Sequence, residues 1–334
     1  MIPYLLRRLT LILPTLLGVT IVAFLLVHWM PGDPAEILAG EHASPQVVQQ
    51  IRTGLGLDRP LAEQYVRYMA DLLSGDLGRS AKTHEPIASE IRRYFPATLE
   101  LAVAALFVAC LFGFPAGVLA ARRAGRFADA LGMGLASIGI SMPVFWLGLL
   151  LMYFLGVLFP VLPVSGRTGA MMAPPVQTGF LLVDSLLARD LSALADAFRH
   201  LVLPALVLGT VPMAVIARMT RSSLLETMGR DYIRTARAKG AGEMAILLRH
   251  AARNGALPTL TVVGLQFGAL LGGAIITETI FAWPGLGRWV LLAVESRDIR
   301  ALQAAVLLMA FSFALVNLLT DMLYAALDPR IKLR

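Results

Sequence analysis

Residues 97–121 read ATLELAVAALFVACLFGFPAGVLAA, and this stretch decides the fold. It carries one charge, Glu100, near its start, and otherwise offers apolar side chains on every face. A helix with no polar side belongs in hydrocarbon, and about 20 such residues cross a lipid core of roughly 30 Å. Outward from it, five further stretches meet the same test: 9–29, 131–158, 201–217, 257–282 and 302–323. The fourth is the shortest and contains Pro204 and Pro212, which a span tolerates where neighbours re-satisfy the freed carbonyls. The run 180–187 contains Asp184 and is too short to cross. The first stretch is too long for a signal-peptide core, and no small-residue cleavage site follows it.

The whole composition agrees. Apolar residues make up 57% of the 334, charged residues only 15%, and the mean hydropathy is +0.71. A soluble domain has about 45–50% and about 25% respectively. The expected fold is an all-α polytopic membrane protein of six transmembrane helices. The single cysteine, Cys110, can form no internal bridge, so nothing requires an oxidising compartment.

Lys and Arg set the orientation. The segments 1–8, 122–130, 218–256 and 324–334 hold 16 basic residues, against 13 in the much longer 30–96, 159–200 and 283–301. Most of the acidic residues fall on the second set. Both termini are therefore expected in the cytoplasm. The same placement explains a pI near 10, so the charge reflects topology and no nucleic-acid partner is expected. The chain divides into a first span with a large outer segment (1–96), a five-span core (97–323) and a cytoplasmic tail (324–334).

Several chemistries are missing. None of the three lysines, Lys82, Lys239 and Lys332, follows a glycine, so there is no phosphate-binding Gly-Lys-Ser/Thr loop. His84-Glu85 lacks the second histidine of a zinc-peptidase helix, and the other histidines are scattered. No metal site or catalytic residue is expected. A proton- or ion-coupled carrier places ionisable groups at mid-span. Here Glu100, Glu278 and Asp321 lie near span ends, which argues against a self-contained secondary carrier.

The segment 218–256 is dense in arginine and has a local design. Asp231 is placed to cap a short helix running to Lys239, and Gly240 suits the left-handed residue that stops it. A second helix is expected from Glu243 to Asn254. In the outer segment, Ser44-Pro45 opens one helix ending near Gly56, and another runs from Pro60 to Ser74-Gly75.

Arg234-Thr-Ala-Arg-Ala-Lys-Gly240 resembles the EAA loop of ABC importer permeases, in the form found in the peptide and nickel branch. Pro31-Gly-Asp-Pro34, Gly75-Asp-Leu-Gly-Arg-Ser80, Glu278-Thr-Ile-Phe-Ala-Trp-Pro-Gly-Leu-Gly-Arg288 and Asp328-Pro-Arg-Ile-Lys332 are similar to that branch as well, above all to its dipeptide permeases. The chain departs from the general EAA pattern at Arg234 and Thr235, and has Arg253 where a proline is usual. The peptide branch shares these changes.

The resemblance implies a type I importer permease fold in the bacterial cytoplasmic membrane and an ATP-driven, binding-protein-dependent import of dipeptides or short peptides. Nickel, oligopeptides or glutathione are the alternative cargoes. The implied partners are a homologous second permease, two ATP-binding subunits that hold ATP and magnesium, a substrate-binding protein and membrane lipid. This chain would hold no cofactor and catalyse nothing. Asp231, Tyr232, Arg234, Thr235, Ala236, Arg237, Lys239 and Gly240 would form the ATPase-docking loop, led by Tyr232, Ala236 and Gly240. Ser141, Met142 and Gln266 are candidates for the translocation path. Gly264, Gly268 and Gly272, four residues apart, leave one helix face almost bare for close packing.

Overall fold

A computed structural model describes residues 2–29, 33–39, 43–169 and 172–327. The helices are α1 (Ile2–Trp29), α2 (Pro34–Ala39), α3 (Pro45–Leu55), α4 (Leu61–Ser74), α5 (Ile87–Arg122), α6 (Phe127–Ser141) and α7 (Val144–Met152), which runs on as a π-helical turn, Tyr153–Leu158. Then come α8 (Leu181–Leu187), α9 (Leu191–Met228), α10 (Asp231–Ala238) and α11 (Glu243–Ala245), with a second π-helical turn, Ile246–Ala251, leading into α12 (Ala252–Gly273). The chain closes with α13 (Ile275–Ile280), α14 (Leu286–Glu295) and α15 (Ile299–Leu327). Among the described residues the one strand-like feature is an isolated bridge between Arg79 and Pro86. The Pro31-Gly32 part of the first matched motif and all of Asp328-Pro-Arg-Ile-Lys332 lie outside the described residues.

Among the described residues, four helices are long and apolar enough to cross a membrane: Ile87–Arg122, Leu191–Met228, Asn254–Gly272 and Ile299–Leu323. A fifth crossing exists if α6 and α7 count as one. Among the described residues, the expected first span contributes a shorter apolar helix, Thr10–Leu26. By this measure the described residues hold four to five of the expected spans.

The expected third span is not a rod. α6 and α7 meet at 98° across Met142-Pro143. Proline has no N–H to donate and pushes the preceding residue out of the helical region. Pro143 is extended, and its carbonyl accepts from Trp146 and Leu147 to start α7 afresh. The expected fifth span also stops early, at Gly273, and α13 begins after the break at Ala274. The expected fourth span, 201–217, is the middle of α9, which continues through Pro204 and Pro212 for 38 residues. Asp190 caps α9, its Oδ1 accepting from the Ser192 and Ala193 amides at 3.0 Å, which contributes about 1 kcal/mol.

α9 is the centre of the fold. Two-thirds of its most apolar window is buried, against one-third for α5 and less for α15. α5 lies parallel to it along nearly its whole length, and small residues set the separation. A Cβ added at Gly113 would lie 2.8 Å from the Met213 carbonyl oxygen, and at Gly117 2.6 Å from that of Ala217. From the other side, a Cβ at Gly209 would lie 2.7 Å from the Ala105 carbonyl oxygen. Ala97, Leu101, Ala102 and Ala105 of α5 then pack with Leu201, Ala205 and Leu208 of α9, joined by Leu270 and Leu271 of α12. α12 packs against both α5 and α9, α15 packs against α12, and α1 packs against α15. Gln303 Nε2, near the start of α15, donates to the Ala23 carbonyl late in α1, so these two helices run antiparallel.

Gly117→Val should force α5 from α9 and destabilise the protein by about 1–3 kcal/mol, the usual cost of overpacking. Gly272→Ala, where a Cβ meets open space, should leave stability unchanged or slightly raised. Thermal unfolding in detergent compares the two.

Candidate functional site

Two polar constructions occupy opposite ends of the α5–α9 pair. At one end, α10 forms a short knob after α9. Ile233 is fully buried and is the residue that seats it, packed with Ala121 of α5, Leu224 of α9, and Ile246, Leu247 and Ala251 of the π turn. Complete burial of one such side chain contributes about 1.5–3 kcal/mol. Ala236 is half-buried and packs against the edge of this cluster.

The remaining face of α10 is open. Asp231, Tyr232, Arg234, Thr235, Arg237, Lys239 and Gly240 are all exposed. Asp231 does not cap the helix. Arg230 holds the cap position and makes no side-chain cap bond, while Asp231 sits in the first turn, where its charge suits the helix dipole. Arg234 Nη1 lies 3.5 Å from Asp231 Oδ1. Thr235 Oγ1 donates to the Asp231 carbonyl at 3.2 Å. Gly240 adopts φ +81°, the left-handed conformation expected of the stop. Arg237 grips Glu243 with two hydrogen bonds, 2.8 and 3.1 Å, and so locks the turn between α10 and α11. That guanidinium holds the Glu243 carboxyl below its ordinary range. Tyr232 remains 42% exposed while its hydroxyl accepts from Asn254 Nδ2 at 2.9 Å. The expected second helix, 243–254, is no separate element. It is the start of a continuous path through the π turn into α12, a wide-turn form common at functional sites.

At the far end, three buried carboxylates gather the outer segments. Glu278 of α13 accepts from Thr98 Oγ1 at 2.6 Å and from the Arg288 amide at 2.9 Å, and Thr98 Oγ1 accepts from the Leu286 amide at 2.7 Å. Gly285 and Gly287 leave room for that carboxylate; a Cβ at Gly287 would lie 2.7 Å from Ile275 Cα. Trp283 Nε1 donates to the Ala97 carbonyl at 2.9 Å, pinning the same loop to α5. Glu90 accepts from Trp289 Nε1 at 3.0 Å and from Thr83 Oγ1 at 2.8 Å. Asp298 accepts from Ser80 Oγ at 2.6 Å and the Ala81 amide at 2.8 Å, and its other oxygen receives the Ala301 amide at 3.1 Å, capping α15. The matched stretches 75–80 and 278–288 are thus parts of one far-end assembly. Thr98, Glu90 and Asp298 were not singled out from the sequence. Glu90 lies in the first turn of α5, Thr98 three turns into the same helix and Asp298 just before α15, and a buried partner 180 to 218 residues away leaves no local pattern.

The other sequence candidates separate. A Cβ on Gly264 would collide with Thr320, and on Gly268 would lie 2.6 Å from the Phe313 ring, so both face α15 of this same chain; Gly272 faces open space. Ser141 is exposed, with its hydroxyl donating to the Ser137 carbonyl at 2.9 Å, and sits with half-buried Met142 at the 98° bend. Gln266 is half-buried on α12. The structure does not bring Ser141 and Gln266 to α10.

Residues 113–333 match the family described as binding-protein-dependent transport system inner membrane component, and residues 1–102 match its N-terminal companion. The chain is 49% identical over 337 residues to the dipeptide transport system permease protein DppB of Escherichia coli (strain K12), covering 99% of each. It is 46% identical over 333 residues to the di/tripeptide transport system permease protein DppB of Pseudomonas aeruginosa (strain UCBPP-PA14), again covering 99% of each. Identity to the glutathione transport system permease protein GsiC of Salmonella paratyphi A (strain ATCC 9150 / SARB42) is 43% over 332 residues, with the same coverage. An inward-facing structure of the MetNI methionine ABC transporter shares the fold, with TM-score 0.52 at 19% identity over 70% of this chain and 93% of that one.

Ile233→Asp should unseat α10, because a buried unpaired carboxylate costs about 3–5 kcal/mol. Trypsin cleavage at Arg234 and Arg237 should accelerate by about tenfold or more, since local opening governs such cleavage. Asp298→Ala strands the Ser80 hydroxyl and the Ala81 amide at about 1–3 kcal/mol, and should speed cleavage at Lys82 while leaving α10 as protected as before.

Proposed function

The chain belongs to the family of binding-protein-dependent transport system inner membrane components, and from that membership we propose that it is the permease half of an ATP-driven importer of dipeptides. The geometry of α10 carries this reading. It is an arginine-rich helix fixed to the ends of α5, α9 and α12 by Ile233, with its outer face bare. Arg237 and Tyr232 brace the knob against Glu243 and Asn254, the rest of its exposed face is left to solvent, and the whole suits a groove on a separate motor.

In this reading Tyr232, Arg234, Thr235, Lys239 and Gly240 touch an ATPase subunit, Arg237 keeps the turn rigid, and Ile233 and Ala236 connect the knob to the spans. ATP hydrolysis, with its magnesium, takes place in two partner subunits. A homologous permease completes the path, and a binding protein delivers cargo to the end built around Glu90, Glu278 and Asp298. The motor shifts the equilibrium between inward- and outward-open states only through contacts that differ between them. Dipeptide cargo follows the relatives' own descriptions, and the glutathione permease makes glutathione the competing substrate to test.

The purified chain alone should hydrolyse no ATP and take up no peptide. Co-reconstituted with its companion permease, ATPases and binding protein, it should import radiolabelled glycyl-leucine on ATP addition, in preference to glutathione. Gly240→Asp places bulk and charge at the knob's tip and should cut that uptake by about tenfold or more with membrane insertion intact. Uptake by the isolated chain, or unchanged uptake by the variant, would overturn this reading.

A further inference from the structure

Asp129 opens the first turn of α6 and is 4% exposed. Both its oxygens are engaged by one partner on another helix: Arg221 Nε donates to Oδ1 at 2.6 Å and Nη2 to Oδ2 at 2.6 Å. The Gly125 amide adds a third bond to Oδ2 at 3.0 Å, which closes the tight turn from α5 into α6. A planar guanidinium facing a carboxylate through two parallel bonds fixes relative orientation as well as distance.

The placement of this pair gives it a role that stability alone does not require. Arg221 lies on the last two turns of α9, ten residues before α10 begins. Thr220, beside it, packs under Gly117 of α5, so this part of α9 is fixed to α5, and Ile233 seats the knob on Ala121 and Leu224 just beyond. Asp129, by contrast, belongs to the helix that leads to the 98° bend at Met142-Pro143. α6 packs against α9 and α5, and Asp129 is the one charged residue in α6, so this fork is its ion pair to a neighbouring helix.

We infer that the Asp129–Arg221 fork is the rigid link that carries displacement of the α10 knob into the broken α6–α7 element. Asp129 and Arg221 are positioning residues: neither touches cargo nor nucleotide. When the end of α9 moves with α10, the fork drags the start of α6, and the bend turns that movement into a swing of α7. Without the fork α6 is held to the α5–α9 pair only by its turn and apolar packing, its orientation no longer follows the knob, and fuel is consumed with little transport. The inference rests on the proposed importer reading.

The measurement is uptake of radiolabelled glycyl-leucine per ATP hydrolysed, in proteoliposomes holding the complete complex. Arg221→Met and Asp129→Asn should assemble normally and keep ATPase activity within about twofold of wild type, while the uptake-to-hydrolysis ratio falls by about tenfold or more. Arg221→Lys, which keeps the charge and loses the fork, should give an intermediate ratio, and it carries the test alone should either of the others fail to insert. A purely structural role would lower uptake and hydrolysis together with the ratio preserved, and that result overturns the inference, as does a ratio within twofold of wild type in all three. Absence of ATP-driven uptake in the wild-type complex would instead overturn the importer reading itself.

Discussion

The backbone-to-backbone approach of α5 and α9 is the constraint on which everything else depends. In hydrocarbon there is no water to expel, so helices associate through close packing, and bare glycine faces permit the closest. Gly113, Gly117 and Gly209 leave each helix facing a carbonyl of the other with no side chain between. Two parallel helices of 36 and 38 residues held this way act as one beam. α12 and α15 build on one flank, while α6 rests on another.

Each end of the beam then carries a different kind of chemistry. At the far end buried carboxylates accept hydrogen bonds from backbone amides, hydroxyls and indoles, which ties loops together into a fixed surface. At the other end a single apolar anchor holds α10, and its charges remain in solvent. Burying polar groups is costly unless every partner is supplied, and the far end supplies them. The knob needs no such network because its polar face stays in solvent.

Much of this was legible in the sequence. Apolar length revealed α5, α12 and α15, and the αL glycines at 56, 75 and 240 marked helix ends correctly. Periodicity failed where tertiary partners decide. Leu201–Ala217 qualified as the shortest of the six stretches, with two prolines, yet it belongs to α9, whose apolar stretch is the most buried of the described spans. Proline at 143 was visible, but a proline alone does not distinguish a mild kink from a 98° bend. Gly264, Gly268 and Gly272 drew notice by their spacing, while the equal spacing of Gly113 and Gly117 passed unremarked beside larger apolar neighbours. Ile233 was not singled out as the anchor of α10, because an eight-residue helix does not reveal which residue faces inward.

At 1.5 Å per residue, α5 and α9 are about 54 and 57 Å from tip to tip, well beyond a hydrocarbon layer of roughly 30 Å. The excess lifts their tips past the lipid headgroups on each face. α10 and the Trp289 platform are therefore raised on stilts, within reach of water-soluble proteins that never enter the bilayer. Trimming either helix by two turns would leave the seam in the membrane untouched and yet sink both platforms into the headgroup layer.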